Sequence, residues 1–225
     1  MKKALLVLSI LTVLILAVGT SFGGCSSESS ARLKVVTSTS LMEYIVKQVG
    51  GDSVEVMNLV PPSQHPGNFD VKPGDIQSLS TADLLLLHGW PGEGYADKLV
   101  ESANNPNLKV VRATIEGNWM IPSMQAAAVD KVLSALSEVD NKNASAYKKD
   151  AEAYKKRIQA KENDIKDRLA KANVASVQVI ASFRQADFLQ WSGFQVAGIF
   201  TNAQALTPAW MAMRLDVVDA LRQVK

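Results

Sequence analysis

A chain of 225 residues is long enough for one or two domains. Charged residues make up 20% of it and sum to only +2, which gives no electrostatic case for binding nucleic acid. Its one cysteine excludes an intramolecular disulfide framework.

Lys2-Lys3 form a positive start, Ala4–Val18 is almost wholly apolar, and small residues lead up to Cys25. This is the pattern of a secretory signal, expected over residues 1–24. The apolar run is too short for a comfortable membrane-spanning helix. Cys25 follows Gly23-Gly24 in an arrangement that resembles a lipoprotein cleavage box, where the cysteine becomes the lipidated first residue. Ser26-Ser27-Glu28-Ser29-Ser30 then supply a polar tether over 25–32. Removing the signal balances the charge, since the 24 basic residues lose two and the 22 acidic ones lose none. The expectation is an exported protein, lipid-anchored on the outer face of the cytoplasmic membrane.

Leu33–Val36 reads as a strand, and Ser40-x-x-Glu43 as a capping box opening a helix that runs through Gln48. Gly50-Gly51-Asp52 ends that helix. Strands follow at Val54–Leu59, Leu84–His88 and Lys109–Arg112, with helices at Asp75–Ser80 and Tyr95–Ala103 between them. This alternation predicts a parallel sheet covered on both faces, an N-terminal α/β lobe over 33–122. Ligands of such sheets collect beyond the carboxyl ends of the strands. Thr37–Ser40, Ser63–Phe69 and His88–Glu93 all lie at those ends.

A helical spine is expected over 123–173. Met124, Ala128, Val132 and Leu136 mark one face of its first helix, and Asp140–Asn143 breaks it. Ala144, Tyr147, Ala151, Tyr154 and Ile158, continued by Ile165, Leu169 and Ala172, then form a narrow apolar stripe. That is about 45 Å of helix. The stripe is expected to pack on this chain's own lobes, which makes the protein a monomer. Strands at Val177–Ala181 and Gln195–Phe200, with helices near Gln185–Trp191 and Pro208–Gln223, make a C-terminal α/β lobe over 174–225. Two strands are too few to stand alone, so this second lobe reads as incomplete.

Several of these segments carry a resemblance. Pro66-Gly67-Asn68-Phe69-Asp70-Val71-Lys72-Pro73-Gly74-Asp75, Val36-Thr37-Ser38-Thr39-Ser40, Gly50-Gly51-Asp52 and the AYKKDAEAYKKRI run resemble the metal-binding receptors of bacterial ABC importers, the zinc/manganese class. The similarity spans roughly 33 to 222. It implies two α/β lobes joined by one long helix, a divalent zinc or manganese ion as cargo, and delivery to a membrane permease. It also implies metal ligands at set positions. The family's first His falls on Gly67, its second on Gly117 within Gly117-Asn118-Trp119, and its third on Phe183. None of these can donate to a metal, and the family's carboxylate would lie beyond Lys225.

The chain has two histidines, His65 and His88, both near the expected crevice. They compose a displaced metal site, with Asp70, Glu93 or Glu116 supplying oxygen. Taken singly, each is more readily a solvated or backbone-capping imidazole. The alternative is a changed ligand. Gly67, Gly117, Trp90, Trp119 and Phe183 would then line a widened pocket with Arg184 at its edge, suited to an organic anion or a metal chelate. A surface-adhesion role is a further alternative. No nucleophile elbow, metalloprotease helix or phosphate loop is present, so an enzyme is not expected. The reading is an extracytoplasmic solute-binding lipoprotein of an ABC importer.

Overall fold

Parallel strands covered on both faces read as unbroken apolar runs, and Leu84-Leu85-Leu86-Leu87 is such a run. The computed structural model describes residues 31–64 and 66–201, and in it all four leucines are fully buried in β3 (Leu84–Leu87). β1 (Leu33–Thr37) and β4 (Lys109–Arg112) flank β3, and β2 (Val54–Asn58) lies beyond β1. All pairings are parallel, in the order β2-β1-β3-β4. The signal segment, Cys25, the first part of the tether, His65 and the helix expected at Pro208–Gln223 lie outside the described residues.

Successive strand residues face opposite sides, and the two cores follow from that alternation. Val35, Leu84 and Leu86 enter one core with α1 (Ser40–Gly50), α4 (Pro122–Val139) and α5 (Ala144–Lys171). Val36, Leu85 and Leu87 enter the other with α2 (Pro73–Ser80) and α3 (Tyr95–Ala103).

Two helix starts differ from the sequence expectation. Thr39, not Ser40, caps α1: its backbone is extended, and its hydroxyl accepts the Met42 N–H at 3.3 Å. Glu43 instead pairs with Lys47 one turn on, at 2.6 Å. α2 begins at Pro73 rather than Asp75, because the fixed φ of proline suits the first helical position. The buried Asp75 carboxylate accepts the Lys72 N–H at 2.8 Å and closes the turn.

The 28 residues of α5 extend about 42 Å at 1.5 Å per residue. Tyr147, Ala151, Tyr154 and Ile158 bury the first half of the stripe against the sheet's first core. Further along, Glu162 accepts the Trp191 indole N–H at 3.2 Å, and the Lys166 ammonium lies 5.4 Å from that ring. Trp191 belongs to α6 (Phe183–Trp191), so the far half of α5 meets another element of this chain. Ile165 and Leu169 are half-buried and Ala172 is exposed.

α6 connects β5 (Gln178–Ser182) to β6 (Gln195–Phe200), a two-stranded parallel sheet. A register shift after Val179 pairs Ile180 with Gly198. No helix among the described residues is long and apolar enough to cross a membrane.

The junction of α4 and α5 is pinned by one buried carboxylate. Asp140 accepts the Tyr147 hydroxyl at 2.6 Å and the Asn143 amide at 2.7 Å. Burial, reinforced by Asp140, pushes the Tyr147 phenol well above its ordinary value. The folded protein therefore keeps this proton when the unfolded chain, near pH 10, gives it up. The stabilisation is complete below about pH 10 and declines above it. Tyr147→Phe is expected to lose about 1–2 kcal/mol at neutral pH, and to soften the alkaline fall in stability. Urea titrations at pH 7 and pH 11 measure both effects.

Candidate functional site

The chain leaves β1 toward β2 on one side and returns to β3 on the other. β1 and β3 are therefore a topological switch point, where the loops diverge and leave a crevice. A cavity of about 220 Å³ lies there. Its walls are Thr39 and Ser40 at the start of α1, Pro61, Pro62 and Gln64 after β2, and His88 and Trp90 after β3.

The His88–Trp90 turn is held from beneath. Glu93 is buried, and its carboxylate accepts three backbone N–H groups: His88 at 2.9 Å, Gly89 at 2.8 Å and Trp90 at 3.1 Å. The fully buried Ser38 hydroxyl also donates to Glu93 while accepting the His88 N–H at 2.9 Å. Ser38 and Glu93 thus fasten the end of β1 to the end of β3. Glu93 is occupied by its own loop, and Ser38 is no free nucleophile.

His88 neighbours two indoles. Its ring centroid is 3.7 Å from that of Trp119 and 6.0 Å from that of Trp90. Nδ1 lies 3.4 Å from the Thr39 hydroxyl. Burial holds the imidazole below its ordinary pKa, against the opposing pull of Glu93. At neutral pH the ring is uncharged and fit to present a lone pair.

The other sequence-derived positions are distributed as follows. Trp119 lies against His88 and packs on the first core. Asn118 donates to the Arg184 carbonyl at 2.7 Å, which brings the segment after β4 against the start of α6. Phe183 and Arg184 are exposed there, with the guanidinium 5.3 Å from the phenyl ring. Gly67 is exposed in the short turn Pro66–Asn68, and Asp70 and Glu116 are exposed. Phe69 anchors the same loop, buried edge-on against Tyr95 at 4.8 Å. Among the described residues, no three His, Cys, Asp or Glu side chains converge as metal ligands.

Thr39 and Gln64 fall within the strand-end stretches the sequence marks but do not stand out there as individual site residues, and the Pro61-Pro62 wall lies just before one of them. The signal was their position at strand ends, but polar and proline residues in loops are too common to stand out.

Gly117 has φ of +113°, a conformation L side chains rarely adopt, and a Cβ there would meet Met124 Sδ at 3.0 Å. Its glycine is thus built into the local backbone. Gly117→His is expected to cost about 1–3 kcal/mol and to bring no gain in zinc affinity. Thermal melts and zinc titration check this; a stable variant with a new zinc site would sink it.

Comparison with known proteins agrees with this architecture. The family model "Zinc-uptake complex component A periplasmic" (ZnuA) matches residues 35–223. The chain is 34% identical over 122 residues to the manganese ABC transporter substrate-binding lipoprotein PsaA of Streptococcus pneumoniae, covering 52% of this chain and 39% of that one. The first relatives matched are thus spanned over about two fifths of their length. The manganese-binding lipoprotein MntA of Halalkalibacterium halodurans is 24% identical over 98% of this chain and 79% of its own. In fold, the chain is similar to the solute-binding protein FpvC of Pseudomonas aeruginosa in complex with Mn²⁺. The TM-score is 0.68 at 23% identity, over 81% of this chain and 75% of that one.

Proposed function

This chain belongs to the ZnuA family of periplasmic zinc-uptake components, and from that premise we propose that it is the extracytoplasmic substrate-binding component of an ABC importer with a divalent transition-metal cargo. It binds and hands over; it does not catalyse. Its partner is the permease of the cytoplasmic membrane. Cys25, lipidated after export, holds it at that surface, with 25–32 as the tether. Relatives named as lipoproteins support the anchor, and a relative solved with Mn²⁺ supports the cargo class.

The observation that carries this reading is the placement of His88. A neutral imidazole forms part of the wall of the cavity at the β1/β3 switch point, where a fold of this kind collects its ligand. Elemental analysis of protein isolated from cells in chelator-free buffer is expected to find stoichiometric zinc or manganese, most of it lost in His88→Ala. Metal-free protein as isolated would end the metal reading.

A further inference from the structure

The cavity and its donors among the described residues do not suit a bare cation. Zinc takes about four nitrogen, oxygen or sulfur ligands at close to 2 Å. Among the described residues, the cavity wall offers one imidazole, His88, together with the neutral Thr39, Ser40 and Gln64. Asp75, Glu93 and Asp140, the buried carboxylates among the described residues, already accept hydrogen bonds from the protein's own groups. Gly117, on the second expected ligand position, has a backbone that disfavours any side chain.

The space has another character. About 220 Å³ exceeds what a naked ion fills, yet it falls below the ~300 Å³ at which pockets for drug-sized ligands begin. Pro61, Pro62 and Trp90 give it apolar and aromatic surface, while hydroxyls and an amide give it neutral hydrogen-bonding groups. Those are the walls of a site for a small organic molecule, with one metal-capable nitrogen among them.

We propose that the cargo enters this cavity as a divalent metal already held in a chelate of amino-acid size. The chelator supplies three of the metal's ligands, and His88 displaces a water to become the fourth. Trp90 and the Pro61-Pro62 wall cover the organic part, and Thr39, Ser40 and Gln64 bond its polar edge. No electron is transferred, and the imidazole, already neutral, releases no proton. The inference rests on the receptor reading above and deepens it.

The test uses full-length protein stripped of metal and three probes in isothermal titration: Zn²⁺ alone, L-histidine alone, and 1:1 zinc–L-histidine. The complex is expected to bind at least tenfold more tightly than either component. His88→Ala and Trp90→Ala should each weaken it tenfold or more, with melting curves confirming that the variants are folded at the titration temperature; His88→Gln serves if the alanine variant does not fold. Zn²⁺ alone binding as tightly as the complex would make the cargo a bare cation. L-Histidine alone binding as tightly would make it a plain organic ligand. Binding of none of the probes, or full affinity in the His88 variants, overturns the proposal as well. These outcomes are separate from failure of the receptor reading, which shows as metal-free protein on isolation.

Discussion

Glu93→Gln is expected to lower stability by about 2–4 kcal/mol, although the change removes only a charge and keeps the shape. The carboxylate accepts bonds on both oxygens: Ser38 and His88 on Oε1, Gly89 and Trp90 on Oε2. A glutamine can place its carbonyl on one side only. Its NH₂ group then faces two N–H donors, or the Ser38 hydroxyl and one N–H, and buried donors are left without acceptors. Each such orphan costs about 1–3 kcal/mol. Glu93→Ala leaves the Ser38 hydroxyl and the Gly89 and Trp90 N–H groups unmet, with the His88 N–H still held by Ser38, and is expected to lose more, softened by water reaching the turn. The second consequence is at the cavity. His88 and Trp90 are carried by the turn that Glu93 organises, so cargo affinity should fall with stability. Urea denaturation at pH 7 gives the first quantity and ligand titration below the transition gives the second. A glutamine variant within about 0.5 kcal/mol of the native protein would contradict the buried network.

Gly89→Ala is the second large effect, expected at about 3 kcal/mol or more. Gly89 has φ of +85°, and a Cβ there would lie 2.8 Å from Thr114 Oγ1, 2.9 Å from Thr114 Cα and 3.0 Å from its backbone nitrogen. A side-chain tip can swing away, but the Thr114 backbone follows β4 and must move with it. Relief therefore opens the turn that bears His88, and Gly89→Ala should also weaken cargo binding. Gly74→Ala is the control. It lies in the first turn of α2 with nothing within 4 Å of the added carbon, and alanine there is expected to stabilise by about 0.5–1 kcal/mol. Paired thermal melts read both. An alanine at 89 as harmless as one at 74 would refute the close approach of the two loops.

Gly89 and Glu93 illustrate where sequence reasoning stops. In the sequence, Glu93 reads as an oxygen donor for a metal because it sits at a strand end in an α/β pattern. Its donors include Ser38, 55 residues away, and only the pairing of β1 with β3 makes them neighbours. The same holds for Thr39 and His88, 49 residues apart and now on one cavity wall. The sequence places the cap of α1 one residue late for a smaller reason. Thr39 and Ser40 are both good caps, and only the extended backbone of Thr39 decides between them.

What the sequence determined alone was the set of elements and their class. The Leu84–Leu87 run required a strand buried on both faces, and the Tyr147–Ile158 spacing required a helix with one apolar stripe. Their alternation required parallel pairing. These follow from short-range periodicity, which is written residue by residue along the chain. The tertiary structure alone decided which strand ends meet, which carboxylates are spent on backbone N–H groups, and that His88 lines the cavity. Those depend on strand order and on hydrogen bonds between residues some fifty positions apart, and no local spacing encodes them.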